Sequence, residues 1–161
     1  MDYLWSPWRY RYVSTCGASD PCVFCKAAAG DNDRENLVIN RGRHVFVILN
    51  RFPYTSGHLM VVPYAHVPTL EELSDEAAIE LLLVARQAET YLRRIYRPDG
   101  LNLGMNIGQA AGAGIAGHIH MHVLPRWVAD ANFMTTVGET RVLPEGLDST
   151  WEKLSAAFAG G

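Results

Sequence analysis

Long apolar runs are missing from these 161 residues. No segment approaches the ~20 consecutive apolar residues of a membrane-spanning helix. The opening stretch MDYLWSPWRYRYV carries rings, arginines and Pro7 where a secretory leader would be continuously apolar. The expected location is the cytoplasm, with no membrane partner. An excess of one charge is missing too. Lys and Arg number 14 and Asp and Glu 17, a net charge of -3, which excludes a general nucleic-acid binder with a basic face. Any phosphate recognised must be met by a local site. Cysteine is scarce: Cys16, Cys22 and Cys25 are an odd count in a chain without a leader, which argues against a disulfide framework and turns attention to metal or redox use of CVFC. Repeats and charge blocks are lacking as well. The chain reads as one domain over residues 1–161, with an arm at 1–20, a core at 21–130 and a C-terminal segment at 131–161. A chain of this length buries about two thirds of its unfolded surface.

Two β-branched runs, LVINR (Leu37 to Arg41) and HVFVILN (His44 to Asn50), are separated by a short turn and predict a hairpin. GHLMVVP, Gly57 to Pro63, predicts a third strand entered through turn residues. The strongest helix signal follows. Thr69 and Glu72 have capping-box spacing, Ser74 offers a second start, and Ala78, Leu81, Leu82, Ala85, Ala88, Leu92 and Ile95 repeat at helical spacing up to PDG. LNLGMNI (Leu101 to Ile107) and HIHMHVLP (His118 to Pro125) alternate as strands around the glycine-rich connector GQAAGAGIAG, and a shorter helix spans Ser149 to Ala159. Strands joined by short turns, one long covering helix and no βαβ alternation predict an α+β fold with an antiparallel sheet.

Half of the six histidines sit at alternate positions in GHIHMHVLPRW. In a strand, residues two apart share a face about 6.6 Å from each other. His118, His120 and His122 then form a row, while Ile119, Met121 and Val123 point into a core. A single histidine there would be read as a half-exposed strand position; three in register behind a glycine-rich loop point to chemistry. One chemistry is a zinc site, since His-x-His on a strand presents two nitrogens to one metal. The other is phosphoryl or nucleotidyl transfer, in which a neutral imidazole attacks phosphorus. The connector favours the second, because backbone N–H groups with little side chain around them can nest an oxyanion.

HIHMHVL together with N...GH.MVVP..H (Asn50, Gly57, His58, Met60 to Pro63, His66) resembles the histidine triad (HIT) superfamily of nucleotide hydrolases and transferases. LWSPWRYRYV, CVFC, LNLGMNIG and PRWVADANFM further resemble a bacterial branch that includes diadenosine tetraphosphate phosphorylases, and the likeness covers nearly the whole chain. The resemblance implies a HIT-like fold, a homodimer, and cleavage of a dinucleoside polyphosphate at its α-phosphate, with an adenosine phosphoramidate-type substrate or a non-catalytic nucleotide-binding module as alternatives. It places the nucleophile on His120 and the donor to the scissile oxygen on His122, with His118 completing the triad. Asn106 corresponds to an amide contacting phosphate and Asn50 to a ribose ligand, and Ile48 and Met60 are candidates for the base pocket. The chain departs from the pattern at Ile115, where many members carry Ser or Thr against phosphate; backbone N–H groups of Gly112, Ala113 and Gly114 are the expected substitutes. Trp127, Asn132 and Phe133 lean toward the phosphorylase branch.

CVFC alone admits a redox dithiol, a zinc half-site or two buried cysteines, and no thioredoxin-like context surrounds it. Relatives in the superfamily, the galactose-1-phosphate uridylyltransferases among them, resemble an arrangement in which Cys22, Cys25, His66 and His118 hold a structural zinc. Cys16 has no assigned role.

Overall fold

A computed structural model describes residues 22–137, 140 and 142–160; the aromatic arm at 1–20 and Cys16 lie outside the described residues. The elements in chain order are α1 (Val23–Ala29), α2 (Asp33–Asn36), β1 (Val38–Arg41), β2 (Val45–Leu49), β3 (Leu59–Pro63), α3 (Asp75–Tyr96), β4 (Gly100–Met105), a 3-10 turn (Gln109–Ala111), β5 (Met121–Arg126), α4 (Phe133–Thr136) and α5 (Leu147–Ala159). The strands form a five-stranded sheet in the order β1-β2-β3-β5-β4, antiparallel at every pairing. With α3 laid across it and α5 at the C-terminus, this is the expected α+β arrangement. Among the described residues no helix is long and apolar enough to cross a membrane.

All five residues of β2 and all five of β3 are buried because both faces of the sheet are covered. Val45, Val47, Leu49, Leu59, Val61, Met121 and Val123 pack with α3 and α5. The alternate set, Phe46, Ile48, Met60 and Val62, packs with Phe24 and Ala27 of α1. Alternation thus sends one half of each strand to a large core and the other half to a small one under a short helix. His58, Met60 and His122 belong to the second face, since Met60 pairs with Ile48 on one side and His122 on the other. Gly57 makes the entry to β3 possible. Its φ is +81°, and a Cβ there would lie 3.0 Å from the Tyr96 ring and 3.1 Å from Leu92.

The capping-box reading of Thr69 and Glu72 is corrected. Their side chains do bond each other at 2.9 Å, but within a turn. The helix starts at Asp75, where the Ser74 hydroxyl accepts from the Ala77 N–H. The buried stripe is Ala77, Leu81, Ala85, Ala88, Tyr91 and Leu92, whereas Leu82 is 62 % exposed. Leu81 and Leu82 lie about 100° apart around the axis, so only one of them can face the sheet. Burying Leu81 and Leu92 fully contributes about 1.5–3 kcal/mol each.

The stretch with CVFC is helical, which composition did not reveal. Its seven residues are too few to hold a helix alone, and Arg41 closes the C-terminal end. The guanidinium donates to the carbonyls of Ala27 (3.0 Å), Ala28 (2.7 Å) and Gly30 (2.8 Å) and to Asp33 Oδ1, occupying acceptors that a helix end leaves open.

Candidate active site and metal cluster

The histidine row is real in direction but divided in use. Its ladder hydrogen bonds begin at Met121, so His118 and His120 lie on the extended approach to β5. The Ile119 N–H bonds instead to the Val67 carbonyl, 2.7 Å away. Alternation persists through this stretch, with Ile119, Met121 and Val123 buried beneath. Past this point the three rings part company.

His118 turns toward the cysteines. Its Nε2 lies 2.8 Å from the Pro63 carbonyl, which can only accept, so Nε2 carries the proton and Nδ1 presents a lone pair. That Nδ1 is 3.4 Å from Cys22 Sγ and 3.7 Å from Cys25 Sγ, while His66 Nδ1 is 3.2 Å from Cys25 Sγ. The donor atoms of Cys22, Cys25, His66 and His118 all lie within 4.8 Å of one another. A tetrahedron with metal–sulfur bonds near 2.3 Å and metal–nitrogen bonds near 2.0 Å sets sulfur and nitrogen about 3.5 Å apart, and the observed separations bracket that value. The donor set and its spacing fit a metal ion with zinc's preferences, and the tautomer of His118 suits a ligand nitrogen.

His120 and His122 face one another on the other side of the row, ring centroids 4.9 Å apart. His120 Nδ1 lies 2.8 Å from the carbonyl of His118 and must donate to it, so its Nε2 holds a lone pair. The tautomer of His122 follows from a longer chain. The Tyr54 backbone N–H donates to His58 Nδ1 at 3.1 Å, leaving the proton of His58 on Nε2. That N–H lies 2.9 Å from His122 Nδ1, which therefore accepts, and His122 carries its own proton on Nε2. Neighbouring rings are thus held in opposite tautomers, one offering a lone pair and the other an N–H. Burial pushes the proton affinity of His118 and of His120 below that of a free imidazole. For His122 burial, aided by the charge of His120, brings the pKa down to about 4. At neutral pH the site holds uncharged imidazoles.

The other expected residues gather around this pair unevenly. Gly104 pairs with His122 and Met105 with Met121, and Asn106 follows directly at the end of β4, next to the approach that carries His120. Asn50, at the end of β2, uses its Oδ1 on the Phe52 N–H at 2.9 Å. Ile48 and Met60 stand on the same face, each only 7 % exposed and packed in the cluster around Phe24. In the glycine-rich loop the N–H of Gly112 bonds to the Gln109 carbonyl and that of Ala113 to the Gly108 carbonyl. Of the three amides expected to nest an anion, the loop's own turn occupies those two. Gly114 remains, with no such bond among the described residues. Ile115 packs against the Phe24 cluster, a core role consistent with its departure from a hydroxyl residue.

Three contributors were not identified as such from sequence. Phe24 lies between the two halves of the row, its ring centroid 5.4 Å from that of His118 and 4.9 Å from that of His120. His58 is 1 % exposed and sets the tautomer of His122. Its signal was available, because it sits two residues before Met60 and so on the same face of β3. Tyr54, its centroid 4.6 Å from His58, covers that pair.

Comparison with known proteins agrees with this geometry. Residues 32–128 match the HIT domain model. The chain is 38 % identical to an AP-4-A phosphorylase of Mycobacterium tuberculosis, an alignment spanning 99 % of this chain and 85 % of that one. Among solved structures it is similar to a Zn-bound histidine triad family protein from Mycobacterium smegmatis, at 30 % identity and a TM-score of 0.69, covering 86 % of this chain and 94 % of the other. A HIT family protein from Bacillus subtilis matches at 28 % identity and a TM-score of 0.62, covering 88 % and 96 %. An alternating histidine row behind a glycine-rich loop, carried on this sheet and matched over this length, places the chain in the HIT domain family.

Proposed function

We propose that this protein cleaves dinucleoside polyphosphates at the α-phosphate through a nucleotidyl intermediate on His120. The observation that carries the reading is the pair of opposite tautomers. His120 Nε2, its lone pair set by the Nδ1–H bond to the His118 carbonyl, attacks the α-phosphorus. The bond from phosphorus to the bridging oxygen breaks, and the Nε2–H of His122 meets the charge that develops on the departing oxygen. The His118 carbonyl faces the positive charge that grows on the His120 ring. Water or inorganic phosphate then takes the nucleotidyl group and returns His120 to its starting state. The relative from Mycobacterium tuberculosis, a phosphorylase by name, supports this substrate class.

In this reading Asn106 and the Gly114 N–H hold phosphate oxygens, and the Asn50 amide nitrogen meets a ribose hydroxyl. Ile48 and Met60, beside His122 on one sheet row, offer an apolar floor for the base. Zinc, held by Cys22, Cys25, His66 and His118, would supply a structural cross-link between α1 and the approach to β5. A catalytic metal on the histidine row has less support, since His122, accepting from His58 at Nδ1, presents an N–H and not a lone pair beside His120. The whole chain acts as one domain in this reading, because Leu154, Ala157 and Phe158 of α5 share the core under the sheet. A second copy would pair along β4, the edge strand whose Leu103 is 45 % exposed.

The test is His120→Ala, which is expected to abolish turnover of diadenosine tetraphosphate while preserving the circular dichroism and thermal transition of the wild type. Mass spectrometry of the quenched wild-type reaction is expected to show a nucleotidyl adduct. Product analysis with and without phosphate decides the second acceptor: ATP leaves in either case, accompanied by AMP when water resolves the intermediate and by ADP when phosphate does. Retention of even about a tenth of wild-type turnover, a barrier change of only ~1.4 kcal/mol, removes the nucleophile assignment.

A further inference from the structure

Beyond His122 the sheet end opens into a cavity of about 450 Å³ whose walls include Tyr54, Tyr96, Trp127, Asn132 and Met134. We propose that this cavity is the subsite for the second nucleoside, the one on the leaving half of a dinucleoside polyphosphate. The proposal rests on the reading of the histidine pair given above and extends it to the other end of the substrate.

Position is the first argument. Tyr54 belongs to both places: its ring lines the cavity, and it lies stacked 6.0 Å from the ring of His122, the group assigned to the departing oxygen. A chain of phosphates leaving past His122 reaches this opening. Chemistry of the walls is the second. Tyr96 and Trp127 meet edge to face at 6.4 Å, and a planar base finds aromatic surfaces there on which to stack. Among the described residues the lining holds no Lys or Arg, so it suits the nucleoside and not the polyphosphate. Its carboxylates are already engaged. Asp130 takes the guanidinium of Arg126 at 2.6 and 2.7 Å, and Glu145 accepts from Tyr96 at 2.6 Å, from Thr150 and from Lys153. Neither repels an approaching anion as a bare charge.

Rigidity and hydrogen-bonding capacity complete the case. The Tyr96 hydroxyl is fixed on Glu145, and the backbone N–H of Trp127 donates to Asp130 at 3.1 Å, so the Tyr96 ring and the turn that carries Trp127 are held before substrate arrives. Ser56, also in the lining, has a buried hydroxyl with no hydrogen-bond partner among the described residues. A volume of this size lies within the range of small-ligand pockets.

The test compares two substrates of the full chain: diadenosine tetraphosphate, and adenosine 5′-phosphoramidate, which has no second nucleoside. Trp127→Leu removes the ring while keeping an apolar side chain, and Trp127→Phe keeps a ring as a control for folding. Loss of one stacked base predicts a drop of about tenfold or more in kcat/KM for the dinucleotide. The phosphoramidate should be turned over within about twofold of wild type, and Trp127→Phe should recover most of the dinucleotide activity. Equal losses on both substrates, or no loss on the dinucleotide, overturn the subsite while leaving the histidine chemistry standing. Wild-type turnover of neither substrate overturns the reading of the histidine pair itself.

Discussion

His58→Phe is the most direct challenge to the tautomer argument. The side chain is 1 % exposed, accepts from the Tyr54 N–H and donates to His122 Nδ1. Phenylalanine preserves the ring but strands one donor and one acceptor. A buried group left unsatisfied costs about 1–3 kcal/mol. Tyr54 is 37 % exposed, so its share is taken at the low end. The expected destabilisation is about 2–3 kcal/mol, read by urea unfolding. The chemical effect is separate, because His122 loses the partner that keeps its proton on Nε2. Removing one donor to a developing oxyanion costs about 10²–10³ in rate, and releasing a donor that can still adopt the right tautomer costs less, about ten- to a hundredfold in kcat. His58→Gln restores an N–H toward His122 and should recover much of that loss without restoring full stability. Long-range 1H–15N correlation on the folded proteins gives the readout independent of turnover: in the wild type His122 should carry its proton on Nε2 and His120 on Nδ1. A spectrum showing His122 protonated on Nδ1 refutes the reasoning, as does a folded His58→Phe variant with wild-type kcat.

Acid should weaken the fold through His122. Its pKa is lowered from 6.5 to about 4 in the folded protein, so the unfolded chain binds more protons between those values; the contribution is complete above pH 6.5 and is lost as pH falls toward 4. The difference in unfolding free energy between pH 7 and 4 should exceed that of His122→Asn by up to about 3 kcal/mol, and parallel pH profiles would contradict the assignment. Purified protein should contain one zinc per chain by elemental analysis, and Cys25→Ser should lose it. Chelation should lower Tm and, by loosening α1 and Phe24 over the row, lower turnover only in part, since the cluster uses none of the atoms assigned to bond breaking; complete loss of turnover in folded, metal-stripped protein would make the metal catalytic. Arg41→Leu frees the carbonyls of Ala27, Ala28 and Gly30 together with Asp33; for a partly exposed group this should cost about 2–3 kcal/mol and speed metal loss to a chelator. Metal release at the wild-type rate would show that α1 holds without the guanidinium.

Periodicity carried most of the sheet and the long helix into view. The strands were legible because alternate residues serve two different cores, as Val45, Val47 and Leu49 serve one and Phe46 and Ile48 the other. Local pairs misled where they satisfied themselves, as Thr69 and Glu72 do in a turn that never becomes helical. The helix carrying CVFC escaped notice because seven residues with Phe24 and Ala27 buried give no repeat to read. The histidine row was visible as a row, but its division was not. Which ring turns to sulfur and which to a neighbour depends on the Pro63 and His118 carbonyls, and a pattern of side chains does not encode where carbonyls point. The cavity beyond His122 is assembled from positions 54, 96 and 127, separations that composition and local spacing cannot join.

The metal cluster and the histidine pair are adjacent for a physical reason. On the side of the sheet that carries the row, the described cover includes α1, whose buried residues are only Phe24 and Ala27. Such a helix cannot hold itself by propensity or by apolar area, and it is the element from which Cys22 and Cys25 reach His66 and His118. The Arg41 bonds supply binding that packing lacks, and metal ligation by the cluster would add to it. The return is the placement of Phe24 against His118 and His120, where its ring covers part of the row. Burial is the leading cause of the lowered proton affinity of His118, His120 and His122, and an uncharged ring is the state in which His120 Nε2 has a lone pair to offer. In the proposed reaction, the seating of α1 would therefore act on His120 through solvent exclusion, without a metal–substrate contact.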